Sequence, residues 1–131
     1  MQIKIMKTLM VLTDVGFIAY WIITALHLIP ADQLFRNYSN PILVDWNWSF
    51  LPLDLMISAT GLSSLWFMRQ QNAIWKPLAL ISLALTFTSG LQAIAFWTFA
   101  SDFDINWWIP NLFLLVYPLF FIPRLVRETS P

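Results

Sequence analysis

Five side chains with chemistry to offer stand inside otherwise apolar sequence: Asp14, His27, Asp54, Gln92 and Asn111. Ionisable and amide groups in such surroundings are costly, so they face a bundle interior, a wet cavity or the lipid headgroups. His27 is the single histidine of the chain. Paired with Asp54 it makes an acid/base couple able to move a proton on an apolar substrate. The same couple serves equally well as a static clamp on a ligand. Asp14 is open to two readings, a structural hydrogen bond or a carboxylate that titrates or binds a cation.

Other chemistries are excluded by what the chain lacks. No cysteine is present, which removes disulfides, thiolate nucleophiles, iron–sulfur clusters and zinc–cysteine sites. One histidine makes no multi-histidine metal or haem site, so no metal and no cofactor is expected. The three glycines (Gly16, Gly61 and Gly90) are isolated and form no phosphate loop. No serine stands in triad spacing with His27.

The elements that must position these residues are membrane helices. The 131 residues are 59% hydrophobic and 11% charged, with a mean hydropathy of +0.67, whereas soluble domains carry about 25% charged residues. Net charge is zero without a basic block, so no nucleic-acid partner is expected. Apolar runs predict spans at about 8–29, 51–68, 77–100 and 107–123 in a single domain, 1–131. The first run follows Lys4 and Lys7 but exceeds a signal-peptide core and has no small-x-small cleavage site after it, so a retained anchor helix is expected. A polar connection over 30–49 ends in Trp46-Asn47-Trp48, which suits an interfacial aromatic belt. Pro52 and Pro110 fall in first turns, and Pro118 should bend the last helix. The fold class is therefore all-α: a polytopic four-transmembrane-helix bundle.

Charge sets the expected orientation. Four spans place Lys4, Lys7, Arg69, Lys76, Arg124 and Arg127 on one side and Arg36 alone on the other. The positive-inside rule then makes both termini cytoplasmic in a multi-pass bacterial plasma-membrane protein.

Helical angles line up the polar positions. Thr13, Tyr20, Thr24 and His27 share an arc of the first helix, with Asp14 on its shoulder. Asp54, Ser58 and Gly61 share a face of the second, and Ser82, Thr86, Ser89 and Ala93 a face of the third. For the small and hydroxyl residues the plain reading is helix packing. For His27, Asp54, Gln92 and Asn111, similar depth predicts convergence on an outer-leaflet pocket roofed by the Trp46–Trp48 loop, with Trp48 foremost, and by Trp107-Trp108, with Thr24 beside it and Asp14 deeper. The competing reading is that His27 and Asp54 reach the headgroups from their helix ends.

Six runs carry a family resemblance: Thr13-Asp14-Val15-Gly16-Phe17, the stretch from Trp21 to Pro30, Trp46-Asn47-Trp48-Ser49-Phe50, Pro52-Leu53-Asp54-Leu55, Ser89-Gly90-Leu91-Gln92-Ala93 and Trp107-Trp108-Ile109-Pro110-Asn111. On these the chain resembles the YvaD-like family of small bacilli membrane proteins. The resemblance implies a four-span protein of a Gram-positive plasma membrane and transfers no catalytic residue. The leading expectation is a pocket for a small amphipathic or lipid-like ligand. Alternatives are an isomerase-like intramembrane enzyme using His27 and Asp54, a proton-coupled transporter using Asp14, and an accessory or immunity-type subunit. A homodimer or a partner membrane protein fits the last.

Overall fold

A computed structural model describes residues 2–30 and 39–130, so Asp32 and Arg36 lie outside the described residues. The first helix, α1, runs over Ile3–Ala25, and a short helix α2 over Pro41–Trp48 leads into α3, Phe50–Arg69. Then come α4, Trp75–Phe99, and α5, Ile105–Val116, followed by a 3-10 turn, Tyr117–Phe120, and α6, Ile122–Thr129. Among the described residues, four helical stretches are long and apolar enough to cross a membrane: Ile3–Ala25, Pro41–Arg69, Trp75–Phe99 and Ile105–Thr129. The 23 residues of α1 span about 35 Å at 1.5 Å per residue, enough for a hydrocarbon core of about 30 Å.

The boundaries depart from the expected ones for local reasons. The second span starts at Pro41, not near residue 51. Asn40 caps α2 by accepting the Ile42 and Leu43 amides at 3.0 and 3.4 Å, and Pro41 occupies the first turn, where no N–H is needed. Trp46, Asn47 and Trp48 therefore stand on a helix that almost continues into α3, not on a loop. The last span does not stop at Pro123, which sits in the first turn of α6. Pro118 has no N–H for the helical ladder, and there the chain tightens into the 3-10 turn before α6 resumes.

Three helices end in the same way. His27, Gln71 and Ser101 take left-handed φ of 53°, 55° and 56°. In each case the next residue's amide reaches back five positions: Leu28 to the Ile23 carbonyl at 3.1 Å, Asn72 to Phe67 at 3.0 Å and Asp102 to Trp97 at 2.9 Å. This is the Schellman arrangement, which usually recruits glycine. Here every glycine lies within a helix, so other residues carry the left-handed strain.

Burial is inverted relative to a soluble protein. Asp14, Ser58, Ser64, Ser82 and Thr86 are buried, while Leu12, Val15, Ile22, Met56, Leu91, Phe99 and Phe120 are exposed around the circumference. That pattern suits lipid outside and hydrogen-bonded hydroxyls inside. The helix α4 is the hub, packing on α3 along one flank and on α5 and α6 along the other, while α1 packs along α3. Between α1 and α5 there is no extended backbone contact. One end of the bundle carries the basic residues and a dry core of Met6, Met10, Leu65, Ala79, Leu83, Tyr117, Phe121 and Leu125. At this basic end Glu128 accepts from Arg124 Nε at 3.0 Å and lies 3.9 Å from Lys76 Nζ, which links α6 to the start of α4. The opposite end, called the aromatic end below, carries α2 and the α4–α5 turn.

Two glycines set the helix spacing. A Cβ at Gly90 would lie 2.5 Å from the Leu115 nitrogen and 2.7 Å from the Asn111 carbonyl oxygen, so α5 backbone rests directly on α4. A Cβ at Gly61 would collide with the Asp14 carboxylate. Around Gly16 there is open space.

These environments rank the substitutions. Gly90→Ala meets backbone that cannot give and should cost on the order of 1–3 kcal/mol in detergent unfolding. Gly61→Ala meets a short side chain, so the loss should be smaller and should be recovered largely in the Gly61→Ala/Asp14→Ala double variant. Gly16→Ala should cost nothing. Gln71→Gly, by relieving a left-handed residue, should raise stability by about 1 kcal/mol.

Candidate ligand cavity

At the aromatic end the seam between α1 and α5 widens into a cavity of about 380 Å³, within the range of small-molecule sites. Each wall is one face of a helix. From α1 come Phe17, Tyr20 and Trp21; from α2 and α3, Leu43, Trp46, Asn47, Phe50 and Asp54. From α4 come Ser89, Ala93 and Trp97; from α5, Asn106, Trp107, Pro110, Asn111 and Leu114. Within each set the residues recur at i, i+3 and i+4, the pattern of a single helical stripe.

Asp54 is the acidic residue of this wall. It is 4% exposed, and its Oδ2 accepts from Trp21 Nε1 at 2.9 Å, a bond that joins α1 to α3. Its Oδ1 is buried without a hydrogen-bond partner, with the Ser89 hydroxyl close by. Tyr20 Oη donates to Asn47 Oδ1 at 3.1 Å and ties α1 to α2. Asn111 Nδ2 donates to the Trp107 carbonyl at 2.7 Å on its own helix. Pro110 stands inside α5 without an N–H for the helical ladder, on the face that lines the cavity. Aromatic packing stiffens the rim. Trp46 stacks on Phe96 with centroids 4.2 Å apart and planes 20° apart, and meets Phe50 edge-on at 4.8 Å.

Below the cavity the polar interior continues toward the basic end. Ser58 Oγ donates to the Asp14 carbonyl at 2.8 Å, and Ser82 Oγ to the Ile57 carbonyl at 3.0 Å. These hydroxyls bridge helices as the sequence stripes suggest. Asp14 is 1% exposed, and neither carboxylate oxygen has a partner among the described residues. Tyr117 Oη lies near the Thr13 and Thr86 hydroxyls without reaching hydrogen-bond geometry. The dry core then closes the column at the basic end.

Of the expected convergence, Asp54, Asn111 and Trp107 line the cavity. His27 does not. Helix α1 ends at Ala25, and His27 takes the left-handed position of its cap, exposed and beyond the wall. The Asp54 carboxylate is held by Trp21 instead. Gln92 is also exposed, because the buried arc of α4 passes through Ser89, Ala93 and Trp97 and leaves it on the flank. Thr24 is buried, but its hydroxyl donates to the Tyr20 carbonyl at 2.7 Å within α1. Trp48 packs on Trp21 at 5.2 Å and supports the wall without lining it. Asp14 sits beneath the cavity, against Gly61.

Phe17, Trp21 and Trp97 were not among the expected site residues. Their signal was an aromatic repeat on the polar faces, spaced three or four residues from Asp14, Thr24 and Ala93.

The family described as "Family of unknown function (DUF5360)" matches residues 6–131. The chain belongs to that family. A relative within reach of the whole fold is "Uncharacterized protein YvaD" of Bacillus subtilis (strain 168), 53% identical over 125 residues, which cover 95% of this chain and 94% of the relative. The YvaD-like resemblance thus extends over nearly the whole chain. No solved structure matches significantly.

The bond between Trp21 and Asp54 gives a direct check on the site. Trp21→Phe would leave both Asp54 oxygens buried without a donor and should cost on the order of 1–3 kcal/mol in unfolding. Asp54→Asn keeps an oxygen acceptor for Trp21 Nε1 and should cost less than Trp21→Phe in the same measurement.

Proposed function

We propose that the protein is a membrane-embedded binding protein for a small amphipathic molecule, held in the cavity between α1 and α5. The observation that carries this reading is the cavity itself: about 380 Å³ of space walled by aromatic side chains, with Asp54, Ser89 and Asn111 gathered on it. Such a combination of apolar body and few convergent polar groups suits a ligand with a chain and a polar head. The cavity is half of a polar column whose other half is closed by Met6, Met10, Leu65, Phe121 and Leu125. A closed base supports binding over passage through the bundle. Proton transfer by His27 with Asp54 draws no support, since His27 stands outside the wall and Asp54 is bonded to Trp21.

The basic residues at one end support an orientation with both termini in the cytoplasm of a bacterium and the cavity in the outer leaflet of the plasma membrane. Because the chain has no cysteine, single cysteines can report this. Asp45→Cys on α2 should react with an impermeant thiol reagent in intact cells and Gln70→Cys should not. The opposite pattern would reverse the orientation.

Binding is read by tryptophan fluorescence of the full chain in nanodiscs of zwitterionic lipid. The probe 11-bromoundecanol should quench with a saturable component on top of the linear quenching from the bilayer. Ala93→Phe, which fills the cavity from α4, should remove the saturable part and leave the helical circular dichroism intact. A purely linear response in the parent protein would contradict the reading.

A further inference from the structure

The cavity's polar head-site has a sign. We infer that its ligand carries an organic ammonium group, seated against Asp54 and flanked by aromatic faces; this deepens the binding reading above and rests on it. The wall places one carboxylate among Trp21, Trp46, Trp97 and Trp107, and no Lys, Arg or His lines it among the described residues. One carboxylate oxygen is held by Trp21, while the other is buried short of a hydrogen bond, with the Ser89 hydroxyl beside it. A buried acceptor without a donor is destabilising until a partner arrives. An alkylammonium supplies both the missing donor or charge and a surface that aromatic faces attract through their quadrupoles.

The other head-group signs fit worse. An anionic head would meet the Asp54 carboxylate and find no cation on the wall. A neutral hydroxyl can donate to Asp54 Oδ1 but brings no positive charge for a carboxylate in an apolar setting.

The test compares three probes of one chain length in the tryptophan assay: 11-bromoundecylammonium, 11-bromoundecanol and 11-bromoundecanoate, in zwitterionic nanodiscs and at equal bilayer mole fraction. The ammonium should saturate at a concentration about tenfold or more below the alcohol, and the carboxylate should bind most weakly. Asp54→Asn, which keeps the shape and an acceptor for Trp21, should abolish the ammonium preference and leave the alcohol within about twofold. Trp107→Leu, at the partly exposed edge of the wall, should weaken the ammonium more than the alcohol. Equal affinity of ammonium and alcohol, or a preference that survives Asp54→Asn or is untouched by Trp107→Leu, would overturn the inference. In those cases saturable alcohol binding would leave the cavity reading standing. Absence of saturable binding by all three probes would overturn both.

Discussion

Two missing side chains govern how the four spans stand. Gly90 lets the α5 backbone lie against α4, and Gly61 lets the Asp14 carboxylate lie against α3. With α5 drawn to α4 and α1 drawn to α3, the remaining seam between α1 and α5 has no glycine to close it. The cavity is that unclosed seam at the aromatic end, where tryptophans hold the walls apart. At the basic end Met6, Met10, Leu125 and Phe121 fill the same seam with flexible or flat apolar side chains. One packing rule thus yields both the plug and the pocket.

Inside that frame the polar groups follow a single economy. A bilayer offers them no water, so each must find a partner within the bundle or remain exposed as a cost. Most do. Ser58, Ser64 and Ser82 each donate to a carbonyl of a neighbouring helix or turn, at 2.8 to 3.0 Å. The exceptions are concentrated: Asp14, Thr13 and Tyr117 in the middle, Asp54 Oδ1 and Asn47 Nδ2 beside the cavity. Asp54 is the one of these carboxylates that borders a cavity with room for a ligand, which is why the cavity carries the functional reading.

Much of this architecture was legible beforehand, and the misses have specific causes. Four spans followed from apolar runs, and the buried stripe of Ser82, Thr86, Ser89 and Ala93 followed from helical spacing. The helix α2 was hidden because its eight residues include Pro41, Asp45 and Asn47, which resemble a connection until Asn40 is seen as a cap. Reading 30–49 as loop also made Asp54 look close to a helix end, when helix extends back through α2 to Pro41. His27 was misplaced by one feature that hydropathy cannot see, the left-handed cap after Ala25. Gln92 shares the depth of Asp54 but not its direction, and depth alone could not separate the two. Trp21 was the informative omission, since an indole N–H is the donor that a buried carboxylate in an apolar wall needs.

A ligand that enters the seam between α1 and α5 and stops beside Asp54 would leave its mark on the residues around it. Photolabelling measures that directly. A diazirine-bearing alkylammonium would be irradiated with the full chain in nanodiscs and the adducts mapped by peptide mass spectrometry. Labels are expected on the cavity faces of α1 and α5, around Phe17 to Trp21 and Trp107 to Leu114, and should disappear when unlabelled alkylammonium is added in excess. Labels spread over lipid-facing residues such as Leu12, Leu91 and Phe120, undiminished by the competitor, would contradict binding in the seam.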